Sequence, residues 1–398
     1  MADAVGAILL ASVTLYAVLA GADFGGGLWD LLAGTTAQGR RPRHLIDESI
    51  TPVWEGNHVW LVFDLVIFWT AFPHAFAAVM ITLALPLWLA LGGIVLRGAG
   101  FAFRKEVEQL SHQRLAGATF ALSSLMTPFF MGTVVGAIAS GAVPAVATTA
   151  SLAAWTSPTA LLAGFLFVAA GGFLAAVYLI AEARRRGDLK MESYFTLRGQ
   201  AAAVVTGALS LATLFELQNS DKFFFDRLTG RALPLVVIAG VCGLAVLALL
   251  TIRRPIGTRV LAALAVAAVI WGWGVAQYPV ILPGTGITLT NAGATEATLV
   301  AVVAVSIAAA VLVVPSFILL FVLQGRLMLG GGEHGAPPPD GPRPYYPYTG
   351  TPPPTHPGPP SPPTRPGQPS NQHPTSAVRA AVLGVALLTA LARRLRTR

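Results

Sequence analysis

Nine long apolar segments constrain most strongly what this chain can fold into. Each is long enough to cross the hydrocarbon core of a bilayer, which takes roughly 20 apolar residues as a helix. Only 11% of the residues are charged, against about 25% in soluble domains. The chain is therefore predicted to be an all-α, polytopic membrane protein. The predicted transmembrane helices are 3–22, 53–72, 75–96, 116–140, 158–181, 199–217, 232–252, 259–278 and 296–323.

Lysine and arginine are divided unevenly between the two sets of loops. The loops after the first, third, fifth and seventh spans carry most of them, whereas the opposite loops carry Lys222, Arg227 and Arg231. Because basic loops stay in the cytoplasm, we expect the N-terminus outside and the C-terminal tail inside. The net charge of +8 is then a topology signal, and no nucleic-acid partner is expected.

Two further segments follow the ninth span. Residues 331–376 are rich in proline and are predicted to be a disordered cytoplasmic linker, with a ligand for aromatic-grooved modules as the alternative. Residues 377–398 are basic, and the apolar part, 377–392, is too short to span comfortably. We expect a helix on the surface of the anionic cytoplasmic leaflet rather than a tenth span.

Histidine and cysteine usage limits the cofactors that this chain can hold. The single cysteine, Cys242, excludes an internal disulfide, a cysteine-rich metal site and a CxxCH haem attachment. Of the seven histidines, His58 and His74 approach a span, but they lie near opposite ends of the second one. No facing pair of axial ligands results. We therefore predict no metal site, no haem ligands and no bond-making chemistry by this chain alone.

Ionisable residues gather near the predicted cytoplasmic ends of the first three spans. Asp23 closes the first span, Glu55 and His58 open the second on one helix face, and Arg97 and Arg104 end the third. Buried carboxylates of this kind serve as proton-transfer groups, so the cluster predicts a proton path from the cytoplasm. Salt bridges that lock three helix ends together are the equally weighted alternative.

Asp64 is a further proton-path candidate, deeper in the predicted second span. It follows Glu55 by nine residues, which is about 900° of helix rotation and hence the opposite face. An acid at this depth needs a partner from this chain or from another subunit. The sequence does not identify that partner.

Small and aromatic residues near the cluster have structural interpretations. Gly25, Gly26 and Gly27 are predicted to be packing or hinge residues. Trp54 and Trp60 are typical of the aromatic belt at a membrane interface.

Six stretches, in order across residues 20–330, resemble subunit II of the cytochrome bd-type quinol oxidases. They are "GADFGGGLWDLL", "SITPVWEGNHVWLV", "VLRGAGFAFRKEVE", "TPFFMGTVVGAIASG", "QYPVILPGTGITLTNA" and "VPSFILLFVLQGRLMLG". Nine spans with the N-terminus outside agree with that family. The resemblance implies two four-helix bundles and a peripheral ninth helix. The corresponding segments are 1–140, 158–278 and 296–325.

The resemblance also implies a function in aerobic respiration. In such oxidases a partner, subunit I, carries haem b and haem d type groups, oxidises quinol and reduces dioxygen to water. Subunit II is haem-free, completes the complex, and helps cytoplasmic protons and dioxygen reach the active site. It holds a structural quinone in some members, and a small accessory subunit is a further candidate partner. The expected location is the bacterial inner (plasma) membrane, in contact with lipid and quinone.

Particular residues acquire roles through the resemblance. Asp23 and Glu55 match the proton-path acids of the family, and Trp60 matches the tryptophan near its oxygen entrance, where helix packing is the alternative role. Arg97 and Arg104 occupy basic positions at the end of span three. Glu55 stands where the familiar bacterial pattern has aspartate. Asp64 stands where that pattern is often small or apolar, so the resemblance does not predict its role.

Two other classes of protein make different predictions. A secondary transporter of small solutes or ions, the main alternative, would have inverted repeats with broken helices meeting near the midplane. Here the polar residues gather at one membrane face instead. A purely structural scaffold predicts that Glu55→Gln and Asp23→Asn harm assembly but leave turnover untouched.

Overall fold

Long apolar helices make up most of the structure. The computed structural model describes residues 1–34, 38–50, 54–106 and 110–330. The predicted linker 331–376 and the predicted surface helix 377–398 lie outside these residues. The described helices are α1 (Ala2–Leu31), α2 (Arg40–Ile50), α3 (Trp54–Ala71), α4 (Pro73–Thr82), α5 (Ala84–Glu106), α6 (Leu110–Ala139), α7 (Leu152–Trp155), α8 (Pro158–Arg185), α9 (Leu189–Ser220), α10 (Lys222–Thr229), α11 (Leu233–Thr251), α12 (Thr258–Gln277) and α13 (Glu296–Gly330). Two short strands, β1 (Val280–Leu282) and β2 (Ile287–Thr288), pair antiparallel after α12.

Seven helices in the described part of the chain are long and apolar enough to cross a membrane. They are α1, α6, α8, α9, α11, α12 and α13. The bent pair α3–α4 raises the number to eight if it forms one span, and α5 adds a shorter apolar stretch, Ala84–Gly100. The prediction of an all-α, polytopic membrane protein is confirmed. The count of nine spans and the division into two four-helix bundles remain predictions.

Helix α1 is longer than the predicted span 3–22, which corrects the position of Asp23. The helix continues through Gly25–Gly27 to Leu31, so Asp23 lies inside it rather than at its end. The glycines permit this because α8 crosses α1 there. A Cβ atom added to Gly25 would clash with the backbone of Gly171, and one added to Gly27 would clash with the Ser124 side chain, so these two glycines are packing residues.

The chain turns sharply between α3 and α4. The two helices are bent by 119° around Phe72, which has a non-helical backbone (φ −133°, ψ 60°). Pro73 follows as the first residue of α4. Proline disfavours helical backbone at the residue before it and suits the first position of a helix, which explains the position of the turn.

The predicted span 75–96 is divided between α4 and α5 at Leu83, where the single predicted helix was wrong. Pro86 lacks the N–H that would bond to the carbonyl of Thr82 in a continuous helix. The backbone N–H of Ser151 donates to that carbonyl instead, at 2.9 Å. A loop residue thereby satisfies the acceptor that the proline leaves open.

Two apolar clusters lie at different levels of the helices. One surrounds the beginning of α1 and includes Val5, Ile67, Ala71, Phe72 and the hairpin residue Leu282. The other joins α8, α9, α11 and α12 with α2. Close packing of small residues fastens α6 to α8. These residues are Gly132 and Gly136 on α6 and Ala160, Ala163 and Gly164 on α8.

The amphipathic helix α2 was not predicted, and ion pairs fasten it to the turn between α8 and α9. Arg41 binds Asp188 at 3.0 Å. Arg186 binds Glu182 at 2.8 Å and also pairs with Glu48 of α2. Burial opposes the charge of Arg186, but the hydrogen bonds to Glu182 and Glu48 raise its pKa above the ordinary value. Such partly exposed pairs each contribute about 0–1 kcal/mol.

Candidate functional site

A buried ion pair joins α1 to α5. Arg97 Nη2 lies 2.6 Å from Asp23 Oδ1, and the two side chains are 2% and 4% exposed. The same nitrogen donates to the backbone carbonyl of Asp23 at 3.1 Å, and Arg97 Nη1 donates to the hydroxyl of Ser124 on α6. The planar guanidinium presents several donors in a fixed fork. One side chain therefore connects three helices at the same level.

Aromatic rings enclose this ion pair. The guanidinium carbon of Arg97 lies 5.0 Å from the ring centroid of Phe24 and 4.5 Å from that of Phe120, within the range of cation–π attraction. His58 of α3 packs edge-to-face on Phe24, with ring centroids 6.3 Å apart. His58 is also within electrostatic reach of Asp23. The cluster thus includes α3 as well as α1, α5 and α6.

The second carboxylate oxygen of Asp23, Oδ2, is an atom of the cluster that can accept a proton. Oδ2 is buried and makes no hydrogen bond to any residue that the structure describes. An oxygen of this kind is costly to bury without a partner, which a water molecule or a proton would supply. Oδ2 can therefore accept a proton while Oδ1 retains its bond to Arg97.

The structure brings together some of the predicted site residues but not all of them. Asp23, His58 and Arg97 are neighbours. The backbones of Glu55 and Arg104 belong to α3 and α5, but their side chains lie outside the described part. Trp60, half-buried, packs edge-to-face on Phe63 with centroids 6.4 Å apart.

Asp64 lies further along α3, and its nearest polar neighbour belongs to the same chain. The hydroxyl of Ser12 on α1 faces the Asp64 carboxyl group. Neither Ser12 Oγ nor Asp64 Oδ1 completes a hydrogen bond of normal geometry within the described residues. Within this chain, the polar neighbour of Asp64 is therefore provided by α1.

Sequence reasoning missed three polar residues of this region. Ser124 binds Arg97, and Ser12 faces Asp64. Tyr16 lies within electrostatic reach of both aspartates. The available signal was that each is a polar residue within an apolar helix, but such residues do not reveal which neighbouring helix they face.

The histidines and acids do not gather into a metal site in residues 1–34, 38–50, 54–106 and 110–330. No group of three or more His, Cys, Asp or Glu side chains there is arranged to hold a metal ion.

The fold and the buried cluster define a polytopic helical membrane protein whose first helices are joined by a partly satisfied carboxylate–guanidinium pair. More specifically, the chain belongs to the cytochrome bd terminal oxidase subunit II family, whose sequence model matches residues 1–324. This confirms the family resemblance found in the sequence motifs.

Individual proteins of known identity show the same relationship. Cytochrome bd-I ubiquinol oxidase subunit 2 of Escherichia coli K12 is 28% identical over 225 residues, which is 54% of this chain and 57% of that protein. Cytochrome bd ubiquinol oxidase subunit 2 of Bacillus subtilis 168 is 30% identical over 114 residues, 29% of this chain and 33% of that protein. The matches span little more than half of the first relative and a third of the second.

A solved structure shares the fold. A chain of the bd oxidase from Geobacillus thermodenitrificans superimposes with a TM-score of 0.63 and 23% sequence identity, covering 79% of this chain and 96% of that chain. At this identity the comparison concerns the fold alone.

Proposed function

We propose that this chain is the haem-free subunit II of a cytochrome bd-type quinol:dioxygen oxidoreductase in a bacterial inner membrane. The family membership and the apolar helices support this proposal, as do the names of the similar proteins. Its partner is a subunit I that carries the haems, oxidises quinol and reduces dioxygen to water. This chain completes the complex and is not catalytic alone.

The proposed contribution of this chain to the reaction is proton supply from the cytoplasm. The observation that carries it is the Asp23 carboxylate, with Oδ1 bound to Arg97 and Oδ2 buried without a hydrogen-bond partner among the described residues. The distribution of basic loops predicts that this end of α1 faces the cytoplasm. Asp23 takes up a proton on Oδ2 there, with His58 and Glu55 as further relay groups, and Arg97 stabilises the carboxylate that forms on release.

Two roles in this proposal rest on the resemblance alone. Trp60 lies at an oxygen entrance, and Arg104 extends the basic cluster. Trp60 packing on Phe63 is equally compatible with a role in helix packing.

The histidines that could act as haem ligands in this chain support the assignment of the haems to the partner subunit. His58 packs on the Phe24 ring and is within electrostatic reach of Asp23, which suits a proton relay better than an axial ligand. His74, the second residue of α4, lies beyond the turn at Phe72, at the opposite end of α3. The haems supply the electron-transfer and oxygen chemistry when bound in subunit I. We assign no quinone-binding residue in this chain.

Purification of the tagged protein in mild detergent tests the proposal. We expect a haem-bearing partner to copurify, haem bands in the reduced-minus-oxidised spectrum, and quinol-dependent oxygen uptake. Glu55→Gln and Asp23→Asn are then expected to lower turnover per haem. The matched control is Asp3→Asn, which removes an exposed acid at the opposite end of α1 and should leave turnover unchanged. A colourless, stable single chain would contradict the proposal and favour a secondary transporter.

A further inference from the structure

A row of polar side chains continues from Asp23 along the contact between α1 and α3. Ser12, Tyr16 and Asp23 are spaced by four and seven residues, which places them on one face of α1. Tyr16 is within electrostatic reach of both Asp23 and Asp64, and Ser12 faces Asp64. We name Ser12, Tyr16 and Asp64 the inner polar seam.

The spacing along the two helices allows the seam to be continuous. From Asp23 to Tyr16 is about 10 Å along the axis of α1, and from Tyr16 to Ser12 is about 6 Å, at 1.5 Å per residue. On α3, Asp64 lies about 9 Å beyond His58, which shares the level of Asp23. Tyr16 is therefore at about the same level as Asp64, and it is within electrostatic reach of both carboxylates.

The polar atoms of the seam lack partners in the described part of the chain. Ser12 is 3% exposed, and its Oγ, Tyr16 OH, Asp64 Oδ1 and Asp23 Oδ2 are all buried without a completed hydrogen bond. Buried polar atoms are as a rule bonded to protein or to ordered water, and one without either costs free energy. Four such atoms along one helix contact indicate a place where water molecules bind.

Apolar side chains close the seam beyond Ser12. Val5, Ile67 and Ala71 are at most 5% exposed and belong to one tightly packed cluster with Phe72 and Leu282. Val5 lies between Ser12 and the N-terminal end of α1, and Ile67 and Ala71 follow Asp64 on α3 by three and seven residues. The seam therefore begins at the Asp23 cluster and ends at a packed cluster of apolar side chains.

We propose that the inner polar seam is a hydrated, blind branch of the proton path and that Asp64 is the proton reservoir at its closed end. A proton arrives from the Asp23 cluster past the Tyr16 hydroxyl, forms an O–H bond on Asp64 Oδ1, and returns to the cluster by the same route when that bond breaks. No electron transfer is involved. The inference rests on the proposed function and adds a group to the path that family motifs do not predict.

The titratable neighbour of Asp64 among the described residues is Tyr16 of α1, which is also within electrostatic reach of Asp23 and Arg97. Helix α13 also packs on α1 and α3. Of its described side chains, the charged Glu296 is exposed at the far end, and the buried Ser306 donates to the carbonyl of Val302. Asp64 is therefore connected to the Asp23 cluster through Tyr16.

Oxygen uptake by the purified complex tests the role of Asp64. A full general acid–base group contributes roughly 10²–10⁴-fold to a rate, so we expect a smaller loss, about three- to tenfold, for Asp64→Asn and Asp64→Leu. The loss should grow toward alkaline pH, where free protons are scarce and a reservoir matters most. Asp64→Glu should restore turnover, and Tyr16→Phe should reproduce part of the defect. Thr70→Val changes an exposed residue of the same helix and is the matched control.

Thiol accessibility tests the hydration of the seam without relying on turnover. In a Cys242→Ala background, Ser12→Cys is exposed to silver ions in inside-out or right-side-out vesicles and then labelled with a maleimide after denaturation. We expect silver to block labelling only in inside-out vesicles, where the cytoplasmic face is accessible. Ala11→Cys, on the exposed side of α1 at the same depth, should remain unblocked. Blocking from the outside, or none from either side, overturns the inference.

The two experiments separate the failure of the inference from that of the proposed function. If Asp23→Asn and Glu55→Gln slow turnover while every Asp64 variant behaves like Thr70→Val, the reservoir is wrong and the oxidase subunit stands. If no haem-bearing partner copurifies, the proposed function is wrong. In that case the silver-blocking experiment is the remaining test of whether the seam is hydrated and closed at its outer end.

Discussion

At the scale of single residues, the hydrogen bonds of the Asp23–Arg97 ion pair determine whether the buried carboxylate can accept a proton. Taking two charges out of water costs more than their attraction restores unless further hydrogen bonds are present. Arg97 has such bonds, to the Asp23 carbonyl and to Ser124, whereas Asp23 Oδ2 has none among the described residues. Among the described residues, Arg97 Nε and Asp23 Oδ2 are the atoms of the pair that are buried without a hydrogen bond, and the unbonded oxygen is what a proton-accepting carboxylate requires.

We predict that Asp23→Asn destabilises the purified protein, because Arg97 is then a buried cation without its counter-ion. Removing one partner of a buried pair typically costs about 3–5 kcal/mol, which a lowered midpoint of thermal unfolding in detergent would measure. Replacing both residues, as Asp23→Leu with Arg97→Met, should recover most of the lost stability but none of the turnover. If the double variant regains turnover together with stability, the pair is only a structural lock.

At the scale of helices, glycine positions decide how closely the backbones approach. Gly25 of α1 lies against the backbone of Gly171 and Gly172 in α8, while Gly27 lies against the Ser124 side chain of α6. Between apolar helices in lipid the hydrophobic effect does not drive association, so close van der Waals contact of this kind must hold them together. The same contact positions Asp23, two residues before Gly25, next to Arg97.

We predict that Gly25→Ala impairs assembly, because the added methyl group meets backbone atoms that no side-chain rotation can move. Inserting a methyl group into a packed contact typically costs about 1–3 kcal/mol. The yield and the thermal stability of the haem-bearing complex would measure the loss. Gly92→Ala is the matched control, since a Cβ at Gly92 meets nothing within 4 Å. Equal behaviour of the two variants would show that the α1–α8 contact is not tight.

Sequence patterns predict some of these features better than others. The apolar lengths indicate the membrane helices, and polar residues at neighbouring span ends predict that Asp23, His58 and Arg97 meet. The break at Leu83 has a visible cause in Pro86, but its partner, Ser151, comes from a distant loop. Tyr16 and Ser12 were not predicted to belong to the site, because a polar residue in an apolar helix does not specify which neighbouring helix it contacts.

At the scale of the whole molecule, the orientation in the membrane decides whether the Asp23 cluster faces the cytoplasm. Arg184, Arg185 and Arg186 at the end of α8 and Arg253 and Arg254 after α11 lie on the predicted cytoplasmic side. The loop after α6 and the β1–β2 hairpin lie on the opposite side in that topology. The proposed direction of proton uptake depends on this arrangement.

We predict that cysteines in these two sets of loops react from opposite sides. In a Cys242→Ala background, Val146→Cys in the loop after α6 should react with a membrane-impermeant maleimide in intact spheroplasts. Ile256→Cys, between α11 and α12, should react only after lysis, because basic flanking residues retain that loop inside. The two positions are 81% and 74% exposed, so access to both is sterically similar. The reverse pattern would place the Asp23 cluster at the outer face.

The contact between Gly25 and Gly171 has a consequence for biosynthesis. The chain is inserted from its N-terminus, and the helix that completes the packing of α1 is made more than a hundred residues after it. At about 5–20 residues per second, α1 waits roughly six to thirty seconds in the membrane before α8 is translated. Arg97 is translated well before α8, so Asp23 acquires its counter-ion while the glycine face is still uncovered. The ion pair therefore protects the nascent first helix during the interval in which its final neighbour does not yet exist.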